Sequence, residues 1–238
     1  MVQEIPRDTA PDIIYPESDG KPMADNTKQF RWIVTIKENL EILFASRDDV
    51  FVAGDLLWYP VERNNTICQA PDTMVVFGRA KGDRGSYLQW KENNIPPQVV
   101  FEILSPSNKT KDMANKLLFY QRYGVEEYYI YNPDKVELTG LLRSGDSLEV
   151  IEEMNGWVSP RLSIRFQLTS DTLEIYRPDG QRFLTFGELN QLREQERQRA
   201  EQERQEKEAA LLQLEQERQR YQDLLAKLQE RGIDPENL

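Results

Sequence analysis

Histidine is absent from all 238 residues, and that absence excludes more chemistry than any other feature of the composition. It removes histidine-based catalytic triads, histidine-dependent nucleases and the usual zinc hydrolase sites. Cysteine is nearly as scarce. Cys68 stands alone, so neither an intrachain disulfide nor a thiolate cluster for zinc can form. No apolar run reaches the roughly 18 residues of a membrane-spanning helix, and no basic segment followed by an apolar one opens the chain. A soluble cytoplasmic protein with no membrane contact is expected. The net charge of -11 argues against a general nucleic-acid coat or a membrane-surface binder, yet it leaves room for an enzyme that grips phosphate through a local basic patch. The chemistry that remains belongs to carboxylates, lysines, hydroxyls and hard cations.

What is present is organised around Pro96 to Pro133, which reads as strand, polar loop, helix, glycine stop and strand. Val99 to Leu104 is an apolar run of strand length interrupted only by Glu102. Burying a bare carboxylate costs several kcal/mol, on the order of a lost ion pair, so Glu102 must reach water, a cation or a donor. Ser105-Pro106 ends the strand, Thr110 or Asn108 can cap the next helix, and Gly124 can supply its left-handed stop. Met113, Leu117, Tyr120 and Gly124 recur at steps of three and four and should face a sheet, while Asp112 and Lys116 share a neighbouring face. Tyr128 to Tyr131 closes the crossover unit as a second strand.

Upstream, residues 1–29 carry Pro6, Pro11, Pro16 and Pro22 among acids and small polar residues and read as an irregular leader, with PDIIYP as a short extended piece at the domain edge. From Phe30, Ile33, Ile36, Leu40 and Leu43 mark a helix ending near Ala45-Ser46, with Glu38 and Glu41 on its outer face or near a site. Short strands follow at 50–53 and 56–59, and Asp72 opens the apolar run 74–77 after Pro71. Gly78 to Asn94 is a polar stretch whose Arg79, Lys81 and Arg84 could touch phosphates or could be solvated. Downstream, 136–142, 147–151, 162–166 and 173–176 are short strands between turn residues, suggesting antiparallel additions to the sheet. Residues 186–238 hold 13 acids, 9 bases and 10 glutamines, a helix-forming composition. A seam of Leu211, Leu214, Tyr221, Leu225 and Leu228 predicts a coiled coil from 211 that Gly232 and Pro235 would stop.

The expected organisation is therefore a leader over 1–29, an α/β domain over 30–185 and a charged helix over 186–238. An all-β sandwich with one incidental helix is the alternative. Asp72, Glu102, Asp112 and Lys116 could form one site. Two carboxylates from adjacent strand ends can hold Mg²⁺ or Mn²⁺, which keep several waters. A lysine beside them can orient the attacking water and offset phosphoryl charge. The plainer reading of the same spacing makes Asp112 and Lys116 a surface ion pair and Asp72 a turn residue.

The segments APDTMVVF (70–77) and QVVFEILSPSNKTKDMANKLLFYQRYGVEEYYIYNP (98–133) strongly resemble the Uma2 family, restriction-endonuclease-like proteins within the PD-(D/E)XK nuclease superfamily. The resemblance spans roughly 15–180, and the charged tail is similar to that of many cyanobacterial members. It implies a mixed β-sheet core flanked by helices and metal-dependent cleavage of DNA with Mg²⁺ or Mn²⁺. The superfamily aspartate then falls on Asp72 and its acidic residue on Glu102. Leu104 stands where a lysine is expected, and Lys116 is the natural migrated substitute, with Asp112 expected to fix it. Lys28-Gln29-Phe30 occupies the first-helix region where many members carry a histidine. Arg79, Lys81, Arg84, Lys109 and Lys111 are the weaker candidates for substrate phosphates. A homodimer through the C-terminal helix or the core is expected. The competing class is an inactive nuclease-like domain that serves as an interaction or scaffold protein.

Overall fold

The computed structural model describes residues 13–20 and 22–230. The chain divides into two compact units, Met1–Thr185 and Phe186–Leu238. In the first, helix α1 (Thr27–Leu43) precedes strands β1 (Val50–Ala53), β2 (Trp58–Tyr59), β3 (Thr73–Phe77), β4 (Tyr87–Leu88) and β5 (Val99–Ile103). Helix α2 (Thr110–Arg122) and strands β6 (Glu127–Asn132), β7 (Glu137–Ser144), β8 (Ser147–Val150), β9 (Arg165–Leu168) and β10 (Leu173–Tyr176) complete it. The second unit carries helix α3 (Phe186–Glu230).

Six strands form a mixed sheet in the order β1-β3-β5-β6-β7-β8. Only β5 and β6 run parallel, joined by the α2 crossover, and every other pair in the sheet is antiparallel. Strand side chains alternate between faces, and two separate cores result. Val50, Val52, Val75, Val99, Phe101, Ile103, Tyr129 and Tyr131 pack with α1 and with Phe166, Leu173 and Ile175 of the β9-β10 hairpin. Phe51, Ala53, Met74, Val76, Val100 and Tyr128 pack on the opposite face with Tyr120, Met113 and Leu117 of α2. Helices on both faces of a central sheet make this a mixed α/β fold, and the all-β alternative falls.

Local chemistry accounts for most element ends. Asn26 caps α1 by accepting the Gln29 amide at 2.9 Å, which starts the helix three residues before Phe30. Lys109 is the N-cap of α2 and gives it no side-chain cap. Neither Thr110 nor Asn108 serves, because the Asn108 carboxamide oxygen accepts the Ser105 amide at 2.6 Å. Gly124 follows α2 with φ +94, a left-handed stop that Gly takes without a Cβ penalty. The α2 surface is fixed by Trp58, whose indole meets Phe119 edge-on at 5.2 Å and stacks on Tyr120 at 6.4 Å. Arg143 secures the far end by donating to the carbonyls of Val125 and Gln121 at 2.7 Å each.

Two expected strands shift. The strand expected over 56–59 shortens to Trp58–Tyr59, because Asp55 turns the chain with φ 49 and donates its amide to the Pro71 carbonyl. The strand expected over 162–166 becomes 165–168, because Ser159 to Ile164 closes as a tight turn with Ser163 at φ 56. The polar stretch 78–94 is itself folded: Tyr87 is buried, and Gln89–Lys91 makes one 3-10 turn. Ile13 to Pro16 of the leader is held by Tyr15, whose ring lies 5.2 Å from Tyr59 and 5.0 Å from Trp90. Pro11 and Asp12 lie outside the described residues.

Helix α3 is polar along its first half and is supported there by pairs such as Arg199–Glu203 and Arg204–Glu201, each worth about 0.2–0.5 kcal/mol. Leu211, Leu214 and Tyr221 are exposed on it. Gly232 and Pro235 lie outside the described residues. No helix among those residues is long and apolar enough to cross a membrane.

Candidate active site

The β3–β5 ladder pairs Thr73 with Phe101 and Met74 with Val100, and continuing that register by one residue sets Asp72 opposite Glu102. Both residues have the parity of Met74 and Val100, so both belong to the sheet face that α2 covers. Asp72 is tied to β5 directly, since its Oδ2 accepts the Ile103 amide at 2.6 Å. Glu102 is 2 % exposed, and its two oxygens have separate donors. Lys116 Nζ lies 2.6 Å from Oε2 and the Tyr120 hydroxyl 2.6 Å from Oε1. Lys116 and Tyr120 are four residues apart on α2, so one helix face delivers both. A carboxylate inside an apolar strand is thus satisfied by a cation and a phenol, with a second lone pair left on each oxygen.

A cavity of about 440 Å³ opens beside this cluster. Asp55, Asp72, Asp112 and Lys116 line it together with Gln69, Asn115, and Asp19 and Asp25 from the segment before α1. Gly54 permits the close approach here, because a Cβ at that position would come within 3.3 Å of the Asp72 carbonyl oxygen.

The electrostatics follow from the crowding. Burial, then the charge of Glu102, pushes the Asp72 carboxyl well above the usual carboxylate range, against the opposing pull of Lys116 and the Ile103 amide. Burial, then Asp19, raises Asp55 as well. Burial alone would lower Lys116, but the charges of Glu102 and Asp72 outweigh it and raise that group. Lys116 therefore stays an ammonium at neutral pH, a fixed positive charge and hydrogen-bond donor.

Of the residues singled out in the sequence, the structure brings Asp72, Glu102 and Lys116 together. Asp112 is exposed at the rim of the cavity. Its expected partnership with Lys116 does not form, because the sheet supplies a closer carboxylate in Glu102. Glu38 and Glu41 hold Lys37 on the surface of α1. The loop cations are committed elsewhere: Arg79 and Arg84 clamp Glu92 at 2.7 and 2.8 Å, and Lys81 donates to the carbonyls of Phe44 and Ala45. Lys109 and Lys111 are exposed beside Asn108 and Asp112 of the cavity wall. Glu127, also buried, is satisfied by Tyr129, Ser159 and the Arg161 amide and has a structural role.

Asp55, Tyr120, Asp25 and Gln29 were not singled out as site residues. Asp55 left a faint signal as Gly54-Asp55 between two strands, and Tyr120 read only as a core position. Among the described residues no group of three or more His, Cys, Asp or Glu side chains could hold a metal ion. The described residues therefore build no caged site. The pair Asp72 and Glu102 fits the sparser ligation of Mg²⁺, which takes one or two carboxylates and fills the rest with water and substrate oxygens.

The profile of the Uma2 family, described as "Putative restriction endonuclease", matches residues 10–215. A solved structure described as "a putative nuclease belonging to DUF820", from Anabaena variabilis, is similar at 17 % identity and a TM-score of 0.43, over 59 % of this chain and 74 % of that one. No curated protein matches.

Proposed function

Because the chain belongs to the Uma2 family, we propose that its carboxylate cavity is the centre of a divalent-metal-dependent phosphodiester hydrolase of PD-(D/E)XK type acting on DNA. The observation that carries this reading is Glu102: a strand-interior carboxylate, in register with Asp72, that faces a lysine instead of the apolar core. Asp72 and Glu102 would hold Mg²⁺ or Mn²⁺. When bound, the cation supplies Lewis-acid stabilisation of the phosphoryl oxygens and lowers the proton affinity of a ligated water.

The chain's own residues do the rest. Lys116, permanently charged and fixed by Glu102, donates to the nucleophilic water or a non-bridging oxygen and offsets charge that grows as the phosphate is attacked. Tyr120 holds Glu102 in one rotamer from the buried side. Asp55, half-buried at the mouth with a raised proton affinity, can hold a proton near the departing oxygen. Lys109 and Lys111, exposed beside the cavity wall, would meet the backbone phosphates that flank the cleaved bond. The exposed Leu211, Leu214 and Tyr221 are proposed to pair with a second copy of the chain, presenting two centres to two strands.

Calorimetric titration with Mg²⁺ or Mn²⁺ tests the reading on wild type and on Glu102→Gln. Loss of binding in the variant is expected. Equal affinity in both would remove Glu102 as a ligand, and tight binding by a protein that cuts no DNA would favour the inert interaction module.

A further inference from the structure

We propose that Asp25 is a positioning residue of this centre, which locks the end of β5 so that Glu102 and the Ile103 amide keep their register with Asp72. The proposal rests on the reading of Asp72 and Glu102 as cation ligands.

Asp25 lies in the segment before α1 and is far in sequence from β5, yet it is tied to that strand's end by two routes. Its carboxylate Oδ2 accepts the Ser105 hydroxyl at 2.6 Å and also the Ser107 hydroxyl. Its amide donates to Gln29 Oε1 at 2.8 Å, and Gln29 Nε2 donates to the Ile103 carbonyl at 2.8 Å. Ile103 is thereby held on both sides, its carbonyl by Gln29 and its amide by Asp72. Gln29 is 6 % exposed and Ser105 8 %, so bonds broken here leave polar groups that water cannot easily reach. Asn108 completes the ring by accepting the Ser105 amide.

An exposed aspartate gains little from two hydroxyl donors that water could replace. The partners of Asp25 lose more, because Ser105 and Ser107 sit three and five residues beyond Glu102 and have no other charged acceptor among the described residues. The two hydroxyls also hold the Asp25 carboxyl below the usual carboxylate range, so the lock stays ionised at neutral pH. Asp25 and Asp72 both line the same cavity. Groups that orient metal ligands from behind cost about 10–100-fold in metal affinity when removed.

The test is calorimetric titration of the full chain with Mn²⁺ alone, for wild type, Asp25→Ala, Ser107→Ala and Ser107→Thr, beside amide hydrogen exchange over residues 103–108 without metal. Asp25→Ala should bind Mn²⁺ at least about tenfold more weakly and lose protection over 103–108. Ser107→Ala should fall between, and Ser107→Thr, which keeps the hydroxyl on an exposed residue, should restore wild-type affinity. Asp25→Ala within threefold of wild type, or a threonine variant no better than the alanine one, would overturn the positioning role. A wild type that takes up no Mn²⁺ would bring down the cation reading itself, and unchanged exchange in Asp25→Ala would then overturn the lock as well.

Discussion

Lys116→Met isolates the charge that the centre depends on. The ammonium is four-fifths buried and 2.6 Å from a carboxylate that is 3 % exposed, and its removal leaves Glu102 and Asp72 facing each other without a cation. Breaking a buried pair from one side costs about 3–5 kcal/mol. The partial exposure of Lys116 argues for the low end, near about 3 kcal/mol. For a domain of this size about 1 kcal/mol moves Tm by about 2–4 °C, so metal-free Lys116→Met should melt about 6–12 °C below wild type in differential scanning calorimetry. The deficit should be larger at pH 8 than at pH 5, because burial raises the proton affinity of Asp72 and a proton there removes one of the two charges left facing each other. Mn²⁺ at a hundredfold excess over Kd adds about 2.7 kcal/mol to any protein that binds it only when folded. At one fixed Mn²⁺ concentration the variant should gain more than wild type, since the metal takes over the role of the missing ammonium and binds the variant more tightly. A variant that melts within 2 °C of wild type without metal would refute the claim that this ion pair holds the centre together.

Three further outcomes are expected. Asp72 has a raised folded-state proton affinity, so between the ordinary carboxylate range and that raised value the folded chain binds more protons than the unfolded one. Metal-free stability should therefore fall as pH climbs through the window, and Asp72→Asn should flatten that slope in chemical denaturation run from pH 4 to 8. Arg84→Ala should lower stability, because it breaks a clamp on Glu92 and a stack 3.9 Å over Phe51. It should leave the salt slope of DNA binding unchanged, whereas losing Lys109 or Lys111 should reduce that slope by about one each. Ending the chain at Leu184 should convert a dimer into a monomer in sedimentation, and changing Leu214 and Leu228 to Glu should do the same while leaving Mn²⁺ affinity intact. A truncated chain that stays dimeric at low micromolar concentration would place the interface elsewhere.

The sheet was legible because its strands are short apolar runs between turn residues, and the crossover because Gly124 and the helical period of Met113, Leu117 and Tyr120 leave few other readings. Glu102 was legible for the opposite reason: a carboxylate in such a run has no packing role. The partner of Lys116 was not. Spacing on the helix points to Asp112, and only the placement of α2 over β5 shows that Glu102 is nearer. The basic loop stayed open between two readings for the same reason, since only its folding brings Glu92, 13 and 8 residues along the same loop, onto Arg79 and Arg84. Asp25, Gln29 and Asp55 act through contacts with residues 16 to 82 positions away, which no local pattern records.

Cleavage of end-labelled DNA in Mg²⁺, by wild type and by Glu102→Gln at equal concentration, tests the central claim most directly. The account predicts cutting by wild type that chelation abolishes, and a loss of at least about a hundredfold in the variant, the scale of removing one preorganised charge from a hydrolytic centre. Equal cutting by both proteins, or cutting by wild type that persists in excess chelator, would contradict it.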